Sequence, residues 1–278
     1  MSILVLGAGG MVGSALASLP GCHGLGRDGV DITDDGAFLR ALDAHRPASV
    51  VNCAALANVD RCDREAELAW QVNAEAPGRL AAACAGRGIR FVHVSTDYVL
   101  TGPDEPTARL VESCPPDPRS TYARSKRAGE IGVLAHDALV VRVQWVYGVR
   151  GRGFFSKAMA LLRDEQPVRL VVDQVGTPTE VTWLASRLRD AAAGGPTGLF
   201  HLAPDGEASA WEWIITAAAA QGIPTASATG MSRADLPGAF RPARSCLDNA
   251  RFREAWPAAW PRWDEALRAS LSSAGSGD

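Results

Sequence analysis

The sequence has few of the residue arrangements that mark disulfide or metal sites. Its six cysteines are scattered without C-x-x-C spacing, and Cys53 and Cys84 lie in apolar, alanine-rich stretches typical of reduced, buried thiols. The five histidines are also dispersed, with no pair at the spacing of helical metal ligands. We therefore expect neither disulfide bonds nor a bound metal.

An excess of charge of one sign and long apolar runs are also missing. The formal net charge is −3 with acidic and basic residues interspersed, so there is no electrostatic footprint for nucleic acid or an anionic membrane. No apolar run approaches the roughly 20 residues needed to span a bilayer, and the first residues lack the pattern of a secretory signal. These absences predict a cytoplasmic protein whose partner is a small molecule.

The remaining composition is that of an ordinary globular protein, and its pattern predicts an α/β fold. Of the 278 residues, 47% are hydrophobic and 21% are charged. Short apolar runs at residues 2–6, 49–55, 90–95 and 198–203, together with "HDALVVRVQWVYG", alternate with helical stretches. This alternation predicts a Rossmann-type, doubly wound parallel sheet.

The pattern loosens after the strand in "HDALVVRVQWVYG", which predicts a second, smaller lobe. We expect residues 1–147 and about 173–203 to form a dinucleotide-binding domain. Residues 148–172 and about 204–270 are expected to form a substrate-binding lobe. The small and polar composition of residues 271–278 predicts a disordered tail.

The first predicted strand runs into a glycine-rich turn. Gly7, Gly10 and Gly13 have G-x-x-G-x-x-G spacing, with Met11 and Val12 inside the motif. Glycines let the backbone approach a pyrophosphate at a helix N-terminus, where free N–H groups and the helix dipole favour negative charge. A purely structural turn is the alternative, but the position after the first strand of a βαβ unit favours a dinucleotide site.

The second predicted strand ends in "GLGRDG", where such folds contact the adenosine ribose. Arg27 favours a 2′-phosphate and hence NADPH, whereas the adjacent Asp28 leaves NADH as an alternative. A solvated surface charge is the simpler interpretation of either residue. Asp31 and Ile32 follow at the place where an adenine ring would lie against the sheet.

One pair among the rare tyrosines and lysines has a spacing with chemical meaning. Tyr122 and Lys126, in "TYARSK", share a helical face, although the same spacing is typical of an ordinary surface helix. The prolines of "PPDPRS" stop any earlier helix, so Ser120 or Thr121 is expected to cap this one, with Tyr122 in its first turn. A phenol has a pKa near 10, and a neighbouring cation lowers it.

Three motifs in order resemble the extended short-chain dehydrogenase/reductase family. They are the glycine turn, "STDYV" at 95–99 after a strand, and Tyr122-x-x-x-Lys126. More narrowly, "NCAALANVDRCD", "VNAEAP", "STDYV", "WVYG", "VVDQVGTPT" and "RPARSCLD" look like the dTDP-4-dehydrorhamnose reductase subgroup. The resemblance runs from residue 1 to about residue 268.

The resemblance implies a catalytic set made of Thr96, Tyr122 and Lys126. In the family's reaction Tyr122 donates a proton to a carbonyl oxygen, and Lys126 lowers the pKa of the phenol and holds the nicotinamide ribose. Thr96 offers a hydroxyl to the developing oxyanion. A helix-capping threonine and a solvated lysine are the structural alternatives.

The resemblance also assigns residues to the two ligands. For the cofactor it implies contacts from Ala54, Ala55 and Asn73 besides the glycine turn, although Asn73 is nearly as plausible as a helix-surface residue. For the substrate it implies contacts from Asp97, Tyr98, Trp145, Phe154, Gln174, Pro178, Thr179, Arg241 and Arg244. Phe154 and Arg244 stand where the subgroup commonly has asparagine, which leaves the exact sugar open. Trp145 has a core aromatic as its alternative role.

The implied function is the NADPH-dependent reduction of the 4-keto group of a nucleotide-linked 4-keto-6-deoxyhexose, with dTDP as the expected nucleotide. Two alternatives stay open: a non-catalytic NADP-binding regulatory subunit resembling the β-subunit of methionine adenosyltransferase, and a nucleotide-sugar epimerase. A monomer or a homodimer is expected, and whether the pathway serves a cell-wall or a specialised-metabolite sugar is open.

Overall fold

Twelve strands make up the β-structure in residues 1–101, 109–149 and 153–275, the part of the chain that the computed structural model describes. They are β1 Ile3–Leu6, β2 Cys22–Leu25, β3 Ser49–Asn52, β4 Arg90–Thr96, β5 Leu139–Val143, β6 Val146–Tyr147, β7 Val168–Val171, β8 Val175–Gly176, β9 Thr179–Glu180, β10 Gly198–His201, β11 Ala208–Ser209 and β12 Ala228–Met231.

Eleven α-helices lie in the same described ranges. They are α1 Met11–Ala17, α2 Asp35–His45, α3 Val59–Arg64, α4 Ala66–Trp70, α5 Ala76–Ala85, α6 Thr121–Leu134, α7 Phe154–Arg163, α8 Val181–Ala193, α9 Ala210–Ala220, α10 Ala250–Ala255 and α11 Trp263–Gly275. A π-helical turn, Gln71–Glu75, joins α4 to α5, and 3-10 turns span Asp97–Val99 and Arg233–Asp235. None of these helices is long and apolar enough to cross a membrane.

The central sheet contains six strands in the order β2-β1-β3-β4-β5-β10, and every neighbouring pair is parallel. The prediction of a doubly wound parallel sheet is therefore confirmed. The strand order reverses between β1 and β3, because the chain leaves β1 toward β2 and then returns past it to β3. At such a reversal the carboxyl ends of the strands open a crevice in which ligands bind.

The inner strands β1, β3 and β5 of this sheet are buried on both faces, whereas the edge strand β2 is partly exposed. On β1, Ile3 and Val5 face a core shared with α1 and α8, whereas Leu4 and Leu6 face a second core shared with α2 and α5. This alternation explains why β1 reads as a continuous apolar run, as central strands of parallel sheets do.

The smaller lobe is built on three two-stranded pairs, β6 with β9, β7 with β12, and β8 with β11. Its core surrounds Trp213, which contacts the rings of Tyr147 and Phe155, and includes Trp263 and Leu267 of α11. Helix α8 packs on the large sheet, so the chain crosses between the two lobes more than once.

The expectation of a disordered tail from residue 271 is wrong for residues 271–275. Helix α11 continues to Gly275, and residues 276–278 lie outside the described part of the chain. Leu271 packs against the core of the smaller lobe, and the hydroxyls of Ser272 and Ser273 donate to carbonyls four residues earlier. Composition alone hides this contact because the residues around Leu271 are small and polar.

A buried ion pair joins α6 to β5. Arg142 and Glu130 are fully buried, and the guanidinium donates to both carboxylate oxygens at 2.7 and 2.8 Å. Ser95 and Arg127 donate to the same carboxylate at 2.7 and 3.0 Å. A carboxylate this far from water is tolerated only because these donors surround it.

Substitution of Arg142→Met is expected to lower the free energy of unfolding by about 3–5 kcal/mol, since it leaves the Glu130 carboxylate buried without its main partner. Urea unfolding followed by far-UV circular dichroism measures the loss. Arg127→Met is the matched control, because Arg127 is partly exposed and its removal should cost about 1 kcal/mol or less. Equal losses in the two variants would contradict this account.

Candidate functional site

The glycine turn after β1 is packed too closely for larger residues. Gly7 has a φ of +78°, and a Cβ on it would lie 2.6 Å from the backbone nitrogen of Ala54. A Cβ on Gly13 would lie 2.2 Å from the carbonyl oxygen of Gly7. Gly10 forms the N-cap of α1, so the free N–H groups of the first helical turn face the crevice. These glycines fit a site where backbone contacts a pyrophosphate.

A cleft, the glycine-turn cleft, opens beside this turn. Seven residues expected to bind the cofactor line it: Gly7, Gly10, Arg27, Asp31, Ile32, Ala54 and Ala55. Cys53, Leu56, Arg61 and Val72 also line it. Cys53 and Leu56 flank the two expected alanines in the sequence, so the motif that predicts the alanines could also have predicted these two neighbours. Arg61 and Val72 come from α3 and the π-helical turn, which only the tertiary fold brings here.

The adenosine end of this cleft carries one arginine and one aspartate. Arg27 donates to Asp31 at 3.3 Å, and its side chain is 74% exposed. Asp31 also accepts from the N–H and hydroxyl of Thr33, and these bonds hold the pKa of its carboxyl below the usual range, with a smaller effect from Arg27. Because its side chain is largely exposed, the Arg27 guanidinium is accessible to a ligand. The neighbouring Asp28 is exposed.

Met11 and Val12, the two residues inside the glycine motif, lie in different surroundings. Met11 lines a second cavity, described below, and Val12 packs against the core between the sheet and α8. Val12 therefore supports the turn from beneath, whereas the sequence predicts a cofactor contact.

Helix α6 places Tyr122 and Lys126 beside the end of β4. Ser120 is the N-cap and accepts from the N–H of Ala123 at 3.2 Å, which decides between Ser120 and Thr121. Lys126 is only 2% exposed, and its ammonium group lies 2.8 Å from the carbonyl oxygen of Val94. The interpretation of Lys126 as a solvated lysine is therefore wrong.

The pKa of Tyr122 is not lowered as the neighbouring lysine leads one to expect. Burial raises the pKa of Tyr122 above its usual value, and a hydrogen bond with Thr96 opposes the rise. Burial also lowers the pKa of Lys126 to about 8, although Glu130 and Cys53 favour its charged form. In the protein without ligands, Lys126 thus does not bring the phenol below its usual pKa, because desolvation of the phenolate outweighs the neighbouring charge.

Thr96, the last residue of β4, forms hydrogen bonds with Tyr98 and Asp97 in addition to the one with Tyr122. Its hydroxyl accepts from the N–H of Tyr98 at 3.2 Å, as a cap of the 3-10 turn, and donates to Asp97 at 3.1 Å. Asp97 in turn accepts from Ser245 at 2.5 Å. Burial raises the pKa of Asp97 to about 6, and the bonds from Ser245 and Thr96 oppose the rise. Asp97 therefore orients Thr96 and is buried behind the cavity.

Asn73 connects two parts of the site. Its amide accepts from the N–H of Leu56 at 2.9 Å and donates to the Leu56 carbonyl and to Ser125 at 3.0 and 3.2 Å. Ser125 donates to the carbonyl of Tyr122 at 2.9 Å. Asn73 is fully buried, so it is not a helix-surface residue. It ties the loop after β3, which lines the glycine-turn cleft, to the first turn of α6.

A second cavity of about 400 Å³, the aromatic cavity, lies between the sheet and the smaller lobe. The expected residues Tyr98, Trp145, Phe154, Gln174 and Arg241 line it. Tyr147, Phe155, Arg169 and Trp213 line it as well. Tyr147 belongs to the "WVYG" motif, so the sequence could have predicted it. Arg169 and Trp213 are brought to the cavity only by the tertiary fold of the smaller lobe.

Two polar groups of the aromatic cavity lack partners. The Tyr147 hydroxyl and the Trp213 indole N–H are buried without a hydrogen-bond partner among the described residues. The Trp145 backbone has a φ of +42°, and its ring lies against Gly176, where a Cβ would approach within 2.5 Å. Unsatisfied polar groups and a strained residue are features of ligand sites more than of packed cores.

Arg241 and Arg244 have different partners although both lie in the motif "RPARSCLD". Arg241 reaches the aromatic cavity and is held there by Asp60 at 3.1 Å and by the carbonyl of Ala239 at 2.9 Å. Arg244 pairs with Glu207 instead, away from the residues that line the cavity.

Pro178 and Thr179 are also buried away from the cavity lining. The Thr179 hydroxyl donates to the carbonyl of Thr177 at 3.1 Å, which leaves it a structural role in β9. For Arg244 and Thr179 the structure thus does not support the expected substrate contact, because internal partners already use their polar groups.

The comparison with known proteins covers nearly the whole chain. The family model described as RmlD substrate binding domain matches residues 1–275. The dTDP-4-dehydrorhamnose reductase of Streptomyces griseus is 38% identical over 288 residues, which cover 96% of this chain and 92% of that protein.

Solved structures agree with the sequence comparison. The dTDP-4-dehydrorhamnose reductase of Bacillus anthracis in complex with NADP has a TM-score of 0.91 at 27% identity, covering 98% of this chain and 100% of that one. Its counterpart from Clostridium acetobutylicum has a TM-score of 0.88 at 30% identity, with coverages of 99% and 100%.

The buried carboxyl of Asp97 predicts a pH-dependent stability. Because its pKa is raised to about 6, the folded state binds a proton more tightly than the unfolded state does. Its contribution to stability is therefore complete below about pH 4 and is lost as the pH rises through 6. Asp97→Asn should remove this loss, so that the variant gains about 3 kcal/mol relative to the unsubstituted protein between pH 4 and 7.

Chemical denaturation at several pH values measures the effect. Asp60→Asn is the control of opposite sign, since the N–H of Ala239, and to a lesser degree Arg241, lower the pKa of Asp60. The stability from Asp60 is lost as the pH falls. Parallel curves for Asp97→Asn and the unsubstituted protein would refute the assignment.

Proposed function

This chain belongs to the RmlD substrate binding domain family, within the dTDP-4-dehydrorhamnose reductase subgroup of extended short-chain dehydrogenases/reductases, and on that premise we propose that it reduces a nucleotide-linked 4-keto-6-deoxyhexose with NADPH. The reduced group is the 4-keto group, and dTDP is the nucleotide. The observation that carries the proposal is the position of Tyr122. Tyr122 contacts the ring of Tyr98, which lines the aromatic cavity. It stands one helical turn from Lys126, which interacts with Cys53 of the glycine-turn cleft.

The glycine-turn cleft supports NADPH as the cofactor. Gly7, Gly10 and the start of α1 would hold the pyrophosphate, and the exposed Arg27 suits a 2′-phosphate. When bound, NADPH supplies the hydride for the carbonyl carbon. Gly10 of the glycine-turn cleft and Met11 of the aromatic cavity are consecutive residues, so the two ligands would lie next to each other.

The aromatic cavity supports a nucleotide-linked sugar as the substrate. Arg241 offers a planar fork of donors to a diphosphate, and Asp60 orients that fork. The unpartnered Tyr147 hydroxyl and Trp213 N–H can bond sugar oxygens, and the rings of Trp145 and Phe154 give apolar surface to a base or sugar face.

The proton chemistry belongs to Tyr122. Because burial raises the pKa of its phenol, Tyr122 stays protonated at neutral pH and can act as a proton donor. Reduction places a hydride on the carbonyl carbon, and the phenolic proton passes to the carbonyl oxygen. The Thr96 hydroxyl donates to Asp97 in this structure and would have to turn its hydrogen toward the same oxygen to stabilise it, and the charged form of Lys126 favours the phenolate that remains.

Tyr122→Phe is expected to reduce kcat by about 10²- to 10⁴-fold, because it removes the proton donor without changing the ring. NADPH oxidation at 340 nm, with a dTDP-linked 4-keto-6-deoxyhexose as substrate, measures turnover. Quenching of tryptophan fluorescence should show unchanged NADPH binding. Tyr98→Phe is the control, since it loses a hydroxyl from the neighbouring ring and should act mainly on KM. Unchanged kcat in Tyr122→Phe would overturn the catalytic role.

Arg241→Lys is expected to raise KM for the nucleotide sugar about tenfold or more, because an ammonium cannot make the paired hydrogen bonds of a guanidinium. Arg244→Lys changes the same residue type in the same motif, but its partner is Glu207 and KM should stay within about twofold. Steady-state kinetics with varied substrate compare the two. A larger effect from Arg244→Lys would place the diphosphate elsewhere.

A further inference from the structure

A buried chain of three polar side chains runs from β3 through β4 to the catalytic helix. The parallel register pairs Asn52 with His93, and both are fully buried. The Asn52 amide nitrogen lies 3.2 Å from Nδ1 of His93, and Nε2 of His93 lies 3.1 Å from Nζ of Lys126. The mechanism above leaves Asn52 and His93 without a role.

The position of one proton on His93 follows from the hydrogen bonds of Asn52. The N–H of Ala54 donates to Oδ1 of Asn52 at 3.0 Å, so the amide NH₂ must be the group that faces His93. An NH₂ group donates and has no lone pair to offer, so Nδ1 of His93 accepts. Burial, together with the charge of Lys126, keeps the pKa of His93 well below its usual value, and the ring is neutral. A neutral ring that accepts at Nδ1 carries its proton on Nε2.

This tautomer directs an N–H at Lys126. An ammonium group has three N–H donors and no acceptor, so it cannot accept from Nε2–H, whereas a neutral amine can. The amine would still donate to the carbonyl of Val94. Around Lys126, Glu130 on the same helix and Cys53 after β3 favour the ammonium, and the half-buried Tyr122 lies one turn away.

We propose that His93 is a positioning residue which, with its tautomer set by Asn52, lowers the proton affinity of Lys126 by presenting a donor where an ammonium needs an acceptor. An ammonium can form there only if His93 moves its proton to Nδ1, against the Asn52 amide. The pair thereby sets the pH at which Lys126 becomes charged. The effect on turnover rests on the proposed function, but the titration of Lys126 does not.

The composition of the chain makes this titration directly measurable. Only two lysines, Lys126 and Lys157, occur among the 28 basic residues. Protein labelled with [13C]lysine therefore gives two Cε signals, and Lys157→Arg leaves the signal of Lys126 alone. The exposed Lys157 serves as the reference signal in the unsubstituted chain.

Two substitutions of Asn52 distinguish an effect of the His93 tautomer on the titration of Lys126 from an effect of added charge. Asn52→Leu removes the donor at His93 Nδ1 and adds no charge, so His93 can protonate Nδ1 and accept from the ammonium at Nε2. Asn52→Asp replaces the donor with an acceptor and keeps an oxygen for Ala54. We expect the titration midpoint of Lys126 to rise by about one pH unit or more in both variants. A rise in Asn52→Asp alone would show a charge effect and overturn the proposal, as would no rise in either.

A measurement on the unsubstituted protein covers the case in which a variant fails to fold. Two-bond 1H–15N correlation spectra of [15N]histidine protein distinguish the two tautomers, and His93→Gln identifies the relevant signals among the five histidines. The Nε2–H tautomer is expected, and an Nδ1–H tautomer would overturn the proposal.

Turnover gives a further readout. If the lysine ammonium stabilises the phenolate, kcat/KM falls as Lys126 deprotonates, and this fall moves to higher pH in Asn52→Leu. Absence of reductase activity in the unsubstituted protein would refute the proposed function while leaving the titration result intact. An unmoved pH profile in an active Asn52→Leu enzyme would overturn the proposal.

Discussion

The attachment of helix α6 to the central sheet is the constraint on which the rest of the site depends. Two ionisable residues one turn apart, Lys126 and Glu130, are buried against β4 and β5, and each is held by partners from the sheet. Burying ionisable groups is unfavourable unless their partners are in place. The helix therefore has one position and one rotation, and that rotation directs Tyr122 toward the crevice. Packing of apolar side chains alone would allow more freedom.

The same crevice is closed on its other side by the smaller lobe. Ser245 donates to Asp97, and Gln144 at the end of β5 donates to the carbonyl and hydroxyl of Ser245. Asp60 binds Arg241 and the N–H of Ala239 across the cavity. The segment that carries Arg241, the arginine proposed to bind the diphosphate, is thus tied to the strand that carries Thr96, the threonine proposed to contact the oxyanion. In the proposed function these few bonds link substrate recognition to the oxyanion contact.

Much of the site was predictable because its signals are local. The glycine spacing, the pair Tyr122 and Lys126, and Thr96 after a strand each occupy a few consecutive residues, and strand ends in a parallel sheet meet at one edge. The alternation of apolar runs with helical stretches is also a local signal, and it predicted the sheet. The sequence is least informative where a residue's partner is distant along the chain. Arg244 pairs with Glu207, and Leu271 packs against the core of the smaller lobe, where residues 271–275 are helical.

The sequence by itself determined the order of strands and helices, the glycine turn and the choice of Tyr122 as the proposed proton donor, because these follow from spacing and side-chain chemistry. Tertiary structure decided how that chemistry is tuned. The tautomer of His93, the burial of Lys126 and the position of Arg241 depend on the register of β3 against β4 and on the docking of the smaller lobe. Hydrogen bonds and desolvation act over a few ångströms, so their effects appear only when the fold brings those distant residues together.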